Sequence, residues 1–503
     1  MPFPLRNLGC VFDAARTPGK TAIIDLLHAD RPREITYAAL DDACNAVARG
    51  LIRRGLKRGD RVGILSLNRF EFLAAFFGTM RAGMVTVPIS IKLPRDTIAY
   101  IIDNAGVSHL FCDGERRGFC PPSIPTVDFD DSEAYQAFLD HGPFAPVAST
   151  HGEIGMMLCT SGSTGRPKGV PLSHETQLWG MEVCEAIFGD ISKHRLIVAA
   201  PMFHMNATFN VKMALAGNAT IILLPTFNAR VYAEAIQRFR ATWLTSVPTM
   251  MALVEREKEL LRSLDLSSVE KVSMGSAPLT QALHDKIQAL FPRAAINNSY
   301  GTTEAGPVVF GPHPEGKPRP ATAVGYPVRG GEMELREGPT PDEGVLYMRN
   351  PSVMAGYHNL PDVTAKVLKD GWYRSGDIMR RDADGWYYFV GRADDMFVCG
   401  GENIWPGEVE KMLERLDGVH QAFVVPVPDE IKGSLPFAFI VRRPGATLSE
   451  ADVKSFALAN GPAYAHPRYV EFVAELPLAA TNKIDRRGLT QRAEVIAASR
   501  PRR

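Results

Sequence analysis

Residues 160–169 read TSGSTGRPKG, a run in which three glycines, four hydroxyl side chains and one lysine crowd onto ten positions. Such a loop suits phosphate. Gly162 and Gly165 let the backbone turn through positive φ and bring its N–H groups close to anionic oxygens. Thr160, Ser161, Ser163 and Thr164 add hydroxyl donors, and Lys168 adds a full positive charge. The apolar run over 154–159 reads as a strand, and a strand feeding such a loop is where α/β proteins place ligands. A Walker A loop would carry Ser or Thr after the lysine, and Gly169 stands there instead. By itself the segment also reads as a plain Gly/Ser turn.

Outward from this loop the chain alternates helix-like and strand-like stretches. Thr36 reads as the N-cap of a helix running to Gly55, with Leu40, Ala43, Val47 and Leu51 at helical spacing. Strand-like runs at 61–67, 84–89 and 109–112 enclose helical patterns at 71–81 and 96–104. Strands at 196–200, 220–224, 243–247 and 269–274, with helices at 231–240 and 281–290, continue the rhythm of a doubly wound α/β body. After about residue 323 short alternating runs rich in Gly and Pro predict antiparallel β structure, and Asp382-Ala-Asp-Gly385 reads as a hairpin turn. Beyond Gly391 a compact unit follows, with a helix at 406–416, strands at 422–427 and 437–441, and a helix opening on the box-like pair Ser449 and Asp452.

At 503 residues the chain exceeds one compact core. Apolar residues make up 45% and charged residues 22%, ordinary for a folded protein, and the 56 basic and 56 acidic side chains leave no net field for nucleic acid or an anionic membrane. The ligand is therefore sought in a local site. Cys10, Cys44, Cys112, Cys120, Cys159, Cys184 and Cys399 are scattered without metal spacing, which predicts a reducing interior and no zinc site. With no apolar leader and no run of membrane-spanning length, the expected location is cytoplasmic.

Four further segments appear in order: SYGTTEAG at 299–306, YRSGDI at 373–378, GRADDMFVCGGENIWPGEVE at 391–410 and NKIDRRGL at 482–489. Together with 160–169 the chain resembles, over nearly its whole length, the adenylate-forming enzymes, the superfamily of acyl-CoA synthetases, luciferases and peptide-synthetase adenylation domains. The resemblance implies a large N-terminal domain of α/β layers with a β-rich subdomain, 1–392, and a small mobile α+β domain, 393–503. It implies ATP, Mg²⁺ and CoA as reactants and cofactor, with a small carboxylic acid as substrate, and a monomer or homodimer as the assembly.

The resemblance also assigns roles. Residues 160–165 and Lys168 cover the ATP phosphates, with Thr160 and Glu304 on the metal side. Ser276, Ala277, Tyr300, Gly301 and Thr302 line the nucleotide, Thr303 lies near the α-phosphate, and Asp377 accepts the ribose hydroxyls with Arg392 beside it. Lys483 is the expected adenylation cation, because an ammonium set between carboxylate and phosphate stabilises the charge that develops there. Asp394 matches the hinge, and Gly400 and Gly401 match the bare stretch of the pantetheine tunnel. The acid's pocket draws on His204, Met205, Asn206, Val247, Gly275, Gly301 and Val308, where His204 reads either as a gating ring or as a satisfied buried imidazole. No Arg falls in these segments, which disfavours a dicarboxylate. The pattern is most similar to ligases for small acids, such as those for 4-chlorobenzoate or 2-hydroxyisobutyrate. A stand-alone enzyme that loads a carrier protein is the alternative. Asn482, where many relatives carry Gly, and the run YAHP at 464–467, which lacks their Lys, depart from the family pattern.

Overall fold

The computed structural model describes residues 6–160, 166–479 and 484–499. The chain folds as two compact units, residues 1–333 with 348–373 and residues 334–347 with 374–503. The fold is mixed α/β, with a larger first unit and a smaller second one.

The first unit holds two sheets. In the seven-stranded one the order is Ala295–Ser299, Lys271–Gly275, Trp243–Ser246, Arg195–Val198, Thr220–Leu223, Thr21–Asp25 and Arg33–Thr36, parallel throughout except for the last pair. Strands covered on both faces need apolar side chains in succession. Arg195–Val198 and Thr220–Leu223 show this, with Leu196, Ile197, Val198, Ile221, Ile222 and Leu223 all fully buried. The six-stranded sheet runs Thr126–Asp128, Val107–Cys112, Arg61–Leu65, Val85–Pro88, Ile154–Thr160 and Lys168–Ser173. Its first five strands are parallel, while Ile154–Thr160 and Lys168–Ser173 form an antiparallel pair.

Local signals hold closely. Thr36 accepts a hydrogen bond from the Ala39 N–H at the start of helix Tyr37–Arg53. The expected helices at 71–81 and 231–240 are Phe70–Arg81 and Ala229–Arg238. The expected single α/β alternation divides between two sheets, because strand order crosses back and forth and periodicity carries no information on pairing. The strand Lys168–Ser173 has no counterpart among the expected elements. It pairs antiparallel with Ile154–Thr160, and helix His174–Phe188 starts only after it.

In the second unit the strands Glu332–Thr340, Glu343–Arg349, Trp372–Arg381 and Tyr387–Arg392 give the expected antiparallel region, and Gly385 N–H donates to Asp382 O across the expected turn. The chain crosses between the units within the first three of these strands. Further on, Val419–Asp429 and Gly433–Arg442 pair as a long antiparallel ladder, with Tyr469–Val473 added in parallel. Helix Pro406–Leu413 ends one turn before the expected 416. Helix Glu450–Asn460 opens with the reciprocal box anticipated from Ser449 and Asp452. Among the described residues no helix is long and apolar enough to cross a membrane.

One core side chain runs against its surroundings. Lys212, on helix Met205–Ala216, is fully buried, and its ammonium donates to Gln177 Oε1 at 2.8 Å and approaches Met156 Sδ at 3.5 Å. It forms no ion pair with a described carboxylate, and burial pushes its pKa from 10.5 down to about 7. Between those values the unfolded chain holds a proton that the folded chain has lost, so stability rises with pH across that window and the burial penalty is full below it. Measured by urea denaturation from pH 7 to 10, wild type is expected to gain at least about 1 kcal/mol relative to Lys212→Met. An unchanged difference across the series would show that the amine is not buried as a titrating group.

Candidate active site

Four strands of the seven-stranded sheet, Ala295–Ser299, Lys271–Gly275, Trp243–Ser246 and Arg195–Val198, are neighbours and mutually parallel. Their C-terminal ends therefore open on one edge, and the loops that follow them are collected there. This brings together most of the residues expected in the first unit: His204, Met205 and Asn206 after one strand, Val247 after the next, Gly275, Ser276 and Ala277 after the third, and Tyr300 through Val308 after the fourth. Ligands of open α/β sheets bind at such an edge. Asn206 Nδ2 donates to Ser276 Oγ at 3.3 Å, tying two of these loops together. Ser276 adopts φ +67°, an unusual conformation for a side chain other than glycine and one that persists where the surroundings enforce it. His204 is the N-cap of helix Met205–Ala216 but does not cap with its side chain; its ring stands edge-on to Phe203 at 4.6 Å. Met205 and Val247 are buried, Asn206 and Val308 half-buried.

The loop after the fourth strand closes on itself. Thr302 N–H donates to Gly306 O at 2.9 Å, Gly306 N–H returns to Thr302 O at 3.1 Å, and Ala305 N–H is held by Thr302 Oγ1 at 2.9 Å. Such a tight bridge sets out Thr303 and Glu304 at fixed positions. Gly301 beside it leaves no room for a side chain, since a Cβ there would lie 2.3 Å from Pro307 O and 2.4 Å from Pro307 C.

Glu304 is buried, and among the described residues its carboxylate has no ion pair. Its hydrogen bond comes from the Tyr357 hydroxyl, to Oε1 at 2.9 Å. Tyr357 belongs to a segment that the sequence reading passed over. Asn350 Nδ2 donates to Ala305 O at 3.0 Å, Met354 N–H to Glu304 O at 2.7 Å, and His358 N–H to Gly169 O at 2.9 Å. Residues 350–358 thus lace the 302–306 loop to the strand that carries Lys168. The Lys168 ammonium lies over the Tyr357 ring, 4.2 Å from its centroid. The only local signal was Gly356-Tyr357, which has no motif spacing of its own.

Within the hairpin, Thr160 and Lys168 are cross-strand partners, so the two ends of the glycine-rich loop face each other. The Thr160 hydroxyl is buried without a hydrogen-bond partner among the described residues. A buried donor of this kind is costly unless something accepts from it. Ser161, Gly162, Ser163, Thr164 and Gly165 lie outside the described residues.

In the second unit Asp377 and Arg392 are partners on adjacent strands, with Arg392 Nη1 at 2.7 Å from Asp377 Oδ1 and Nη2 at 3.3 Å from Asp394 Oδ2. The expected ribose acceptor, its cation and the expected hinge residue therefore sit side by side. Gly400 and Gly401 form the two-residue turn between strands Phe397–Cys399 and Glu402–Ile404, with φ of +61° and +89°. Positive φ at both positions matches the twist of a tight hairpin, which is a local reason for the pair. Lys483 lies outside the described residues, as do 480–482, whereas residues 166–479 and 484–499 are described. Leu478 and Ile484 form an antiparallel bridge, and Asp485 N–H donates to Pro477 O at 2.8 Å. Arg486 reaches Asp395 Oδ2 at 3.2 Å and Glu410 Oε1 at 3.7 Å and donates to Val424 O at 2.9 Å. Burial pushes the Glu410 carboxyl up to about 7, against the lowering effect of the Arg486 charge.

Comparison with known proteins identifies the family. Residues 12–358 match the family model described as AMP-binding enzyme, and residues 408–483 match the AMP-binding enzyme C-terminal domain. The chain belongs to the AMP-binding enzymes. It is 31% identical to a feruloyl-CoA synthase of Amycolatopsis sp over 90% of its own length and 92% of that protein's. It is equally 31% identical to a 3-[(3aS,4S,7aS)-7a-methyl-1,5-dioxo-octahydro-1H-inden-4-yl]propanoyl:CoA ligase of Mycobacterium tuberculosis, covering 96% and 98%. Among solved structures it superposes on the anthranilate CoA ligase AuaEII in complex with anthranoyl-AMP with a TM-score of 0.88, at 26% identity and 98% coverage of both chains.

As an AMP-binding enzyme of the adenylate-forming superfamily, the chain is an AMP-forming acyl-CoA synthetase whose substrates are ATP, CoA and a carboxylic acid. In such an enzyme the closed loop at 302–306 must keep its shape. Gly301→Ala is expected to lower stability by about 1–3 kcal/mol, because its methyl group would overlap the Pro307 backbone. Chemical denaturation of the variant checks this, and a midpoint equal to wild type would mean that the loop yields without cost.

Proposed function

We propose that this acyl-CoA synthetase activates a small carboxylic acid, of aryl rather than short branched or hydroxylated type. The observation that carries the reading is the shared strand edge, where Met205, Val247 and Val308 offer apolar surface, His204 an aromatic ring, and the Asn206–Ser276 pair a single polar point. No Arg or Lys falls within 201–206, 247–249, 275–277 or 299–308 to balance a second carboxylate. The names of the feruloyl and anthranilate enzymes support an aryl acid as well.

The roles of individual residues are likewise proposed. Thr160 and Lys168 hold the β- and γ-phosphates of ATP, the hydroxyl by donating and the ammonium by charge. Glu304 fits Mg²⁺: a hard oxygen donor, buried and without a described cation beside it, suits a hard divalent ion. Bound there, Mg²⁺ would neutralise phosphate charge. Tyr300, Gly301, Thr302, Ser276 and Ala277 line the base and sugar, Thr303 donates to the α-phosphate, and Asp377 accepts two ribose hydroxyls. Lys483 stabilises the charge that grows as the acid's carboxylate attacks the α-phosphorus and pyrophosphate leaves, giving the acyl-adenylate. Rotation of residues 393–503 about Asp394 then withdraws Lys483 and presents the Gly400–Gly401 turn, past which the CoA thiol attacks the acyl carbon and AMP departs.

A panel of acids, each supplied with ATP, Mg²⁺ and CoA and followed by AMP and thioester formation, tests the substrate class. Benzoates and cinnamates are expected to exceed malonate in kcat/KM by at least about tenfold, the low end of the roughly 1–3 kcal/mol that pocket discrimination supplies. A preference for malonate or for a long-chain acid would overturn it. For the lysine, Lys483→Ala is expected to cut pyrophosphate release by about a hundredfold or more while thioester formation from supplied acyl-AMP stays near wild type. Equal loss in both half-reactions would remove the assigned role.

A further inference from the structure

Two charged groups expected at the triphosphate, the Glu304 carboxylate in the loop after strand Ala295–Ser299 and the Lys168 ammonium on a strand of the six-stranded sheet, come from segments far apart in sequence. One side chain touches both. Tyr357 is buried, donates its hydroxyl to Glu304 Oε1 at 2.9 Å, and offers its ring face to Lys168 Nζ at 4.2 Å. Its own backbone is fixed as well, since Tyr357 N–H donates to Thr364 Oγ1 at 2.9 Å and the adjoining Met354 and His358 N–H groups hold Glu304 O and Gly169 O. The ring is therefore attached at the main chain to the same two segments whose side chains it meets.

We propose that Tyr357 is the positioning residue that holds the metal-side carboxylate and the phosphate-side ammonium at one set separation. Its two contacts do different work. The hydroxyl occupies one lone pair of Oε1 and so orients the carboxylate, leaving the remaining lone pairs for a cation; a partner of this kind fixes ligand geometry and raises metal affinity. The ring face is a weak electrostatic seat for an ammonium, worth far less than a phosphate, so it keeps Lys168 near its working position yet releases it when a stronger anion arrives. Neither contact takes part in bond making.

The inference rests on the reading of Glu304 as the Mg²⁺ ligand, and the test separates the two. ATP binding is measured by displacement of a fluorescent ATP analogue, in EDTA and across a Mg²⁺ titration, for wild type, Tyr357→Phe, Tyr357→Leu, Glu304→Gln and the double variant Tyr357→Phe/Glu304→Gln. Tyr357→Phe keeps the ring and loses the hydroxyl. It is expected to raise the half-saturating Mg²⁺ concentration about tenfold while ATP binding in EDTA stays at the wild-type value. Tyr357→Leu loses both contacts and is expected to weaken binding in EDTA by about threefold in addition. In the Glu304→Gln background, Tyr357→Phe is expected to add nothing.

If Glu304→Gln moves the Mg²⁺ titration and Tyr357→Phe does not, the positioning role is wrong and the ligand assignment stands. If Glu304→Gln leaves the titration unmoved, the ligand assignment itself fails. A tenfold effect of Tyr357→Phe that persists in the Glu304→Gln background would mark a general structural loss and overturn the proposal. Thermal unfolding of each variant without nucleotide confirms that the comparison is among folded proteins.

Discussion

A parallel strand always re-enters its sheet from the same side, so every loop that follows such strands leaves by one edge. That constraint organises the first unit. Residues from the 201–206, 247, 275–277 and 300–308 segments belong to separate strand ends, and they meet because Arg195–Val198, Trp243–Ser246, Lys271–Gly275 and Ala295–Ser299 are adjacent and codirectional. All four strands are short, and their buried apolar side chains, Leu196, Ile197, Val198, Leu244, Val272 and Met274 among them, anchor the sheet, while Ala295–Ser299 at its edge is more polar and less buried. The polar chemistry is left to the loops, where the backbone is free to turn and the ligand has access.

The two strands that flank the glycine-rich segment obey a different logic. Ile154–Thr160 and Lys168–Ser173 are antiparallel neighbours, and the next helix among the described residues, His174–Phe188, begins only after the second of them. On the reading proposed above, hydroxyls, backbone N–H groups and the Lys168 charge carry anion binding here. On the same reading the acidic side is lean, with Glu304 buried and its Oε1 accepting from the Tyr357 hydroxyl. Elsewhere the chain handles buried charge in two other ways. Asp377 is paired with Arg392, whereas Lys212 has, among the described residues, an amide and a thioether as polar partners and answers burial with a depressed pKa.

Local signals in the chain were legible where the physics is local. The Thr36 cap, the Ser449–Asp452 box and the Asp382–Gly385 turn each involve neighbours within a few residues, and each is present in the structure. Helix Pro406–Leu413 came out shorter than its apolar spacing suggested, because spacing marks a face and not an end. The strand Lys168–Ser173 was hidden because Lys-Gly-Val-Pro-Leu-Ser has little alternation and contains a proline. The role of 350–358 was hidden because its main-chain bonds to Glu304 and Gly169 are long-range and leave no imprint on its own composition. The contact of Arg486 with Asp395 and Glu410, which ties the end of the Lys483 loop to the neighbour of the expected hinge, was invisible for the same reason.

The sequence by itself carried the five motif segments on which the resemblance rests, and through that resemblance the family and the kind of reaction. Only the tertiary structure decided which of those residues are neighbours: the division into two sheets, the meeting of four loops on one edge, and the placing of Tyr357 between Lys168 and Glu304. The physical reason is that side-chain chemistry is a property of each residue, whereas strand pairing and the distance between two charges are settled by packing among segments that the chain keeps far apart.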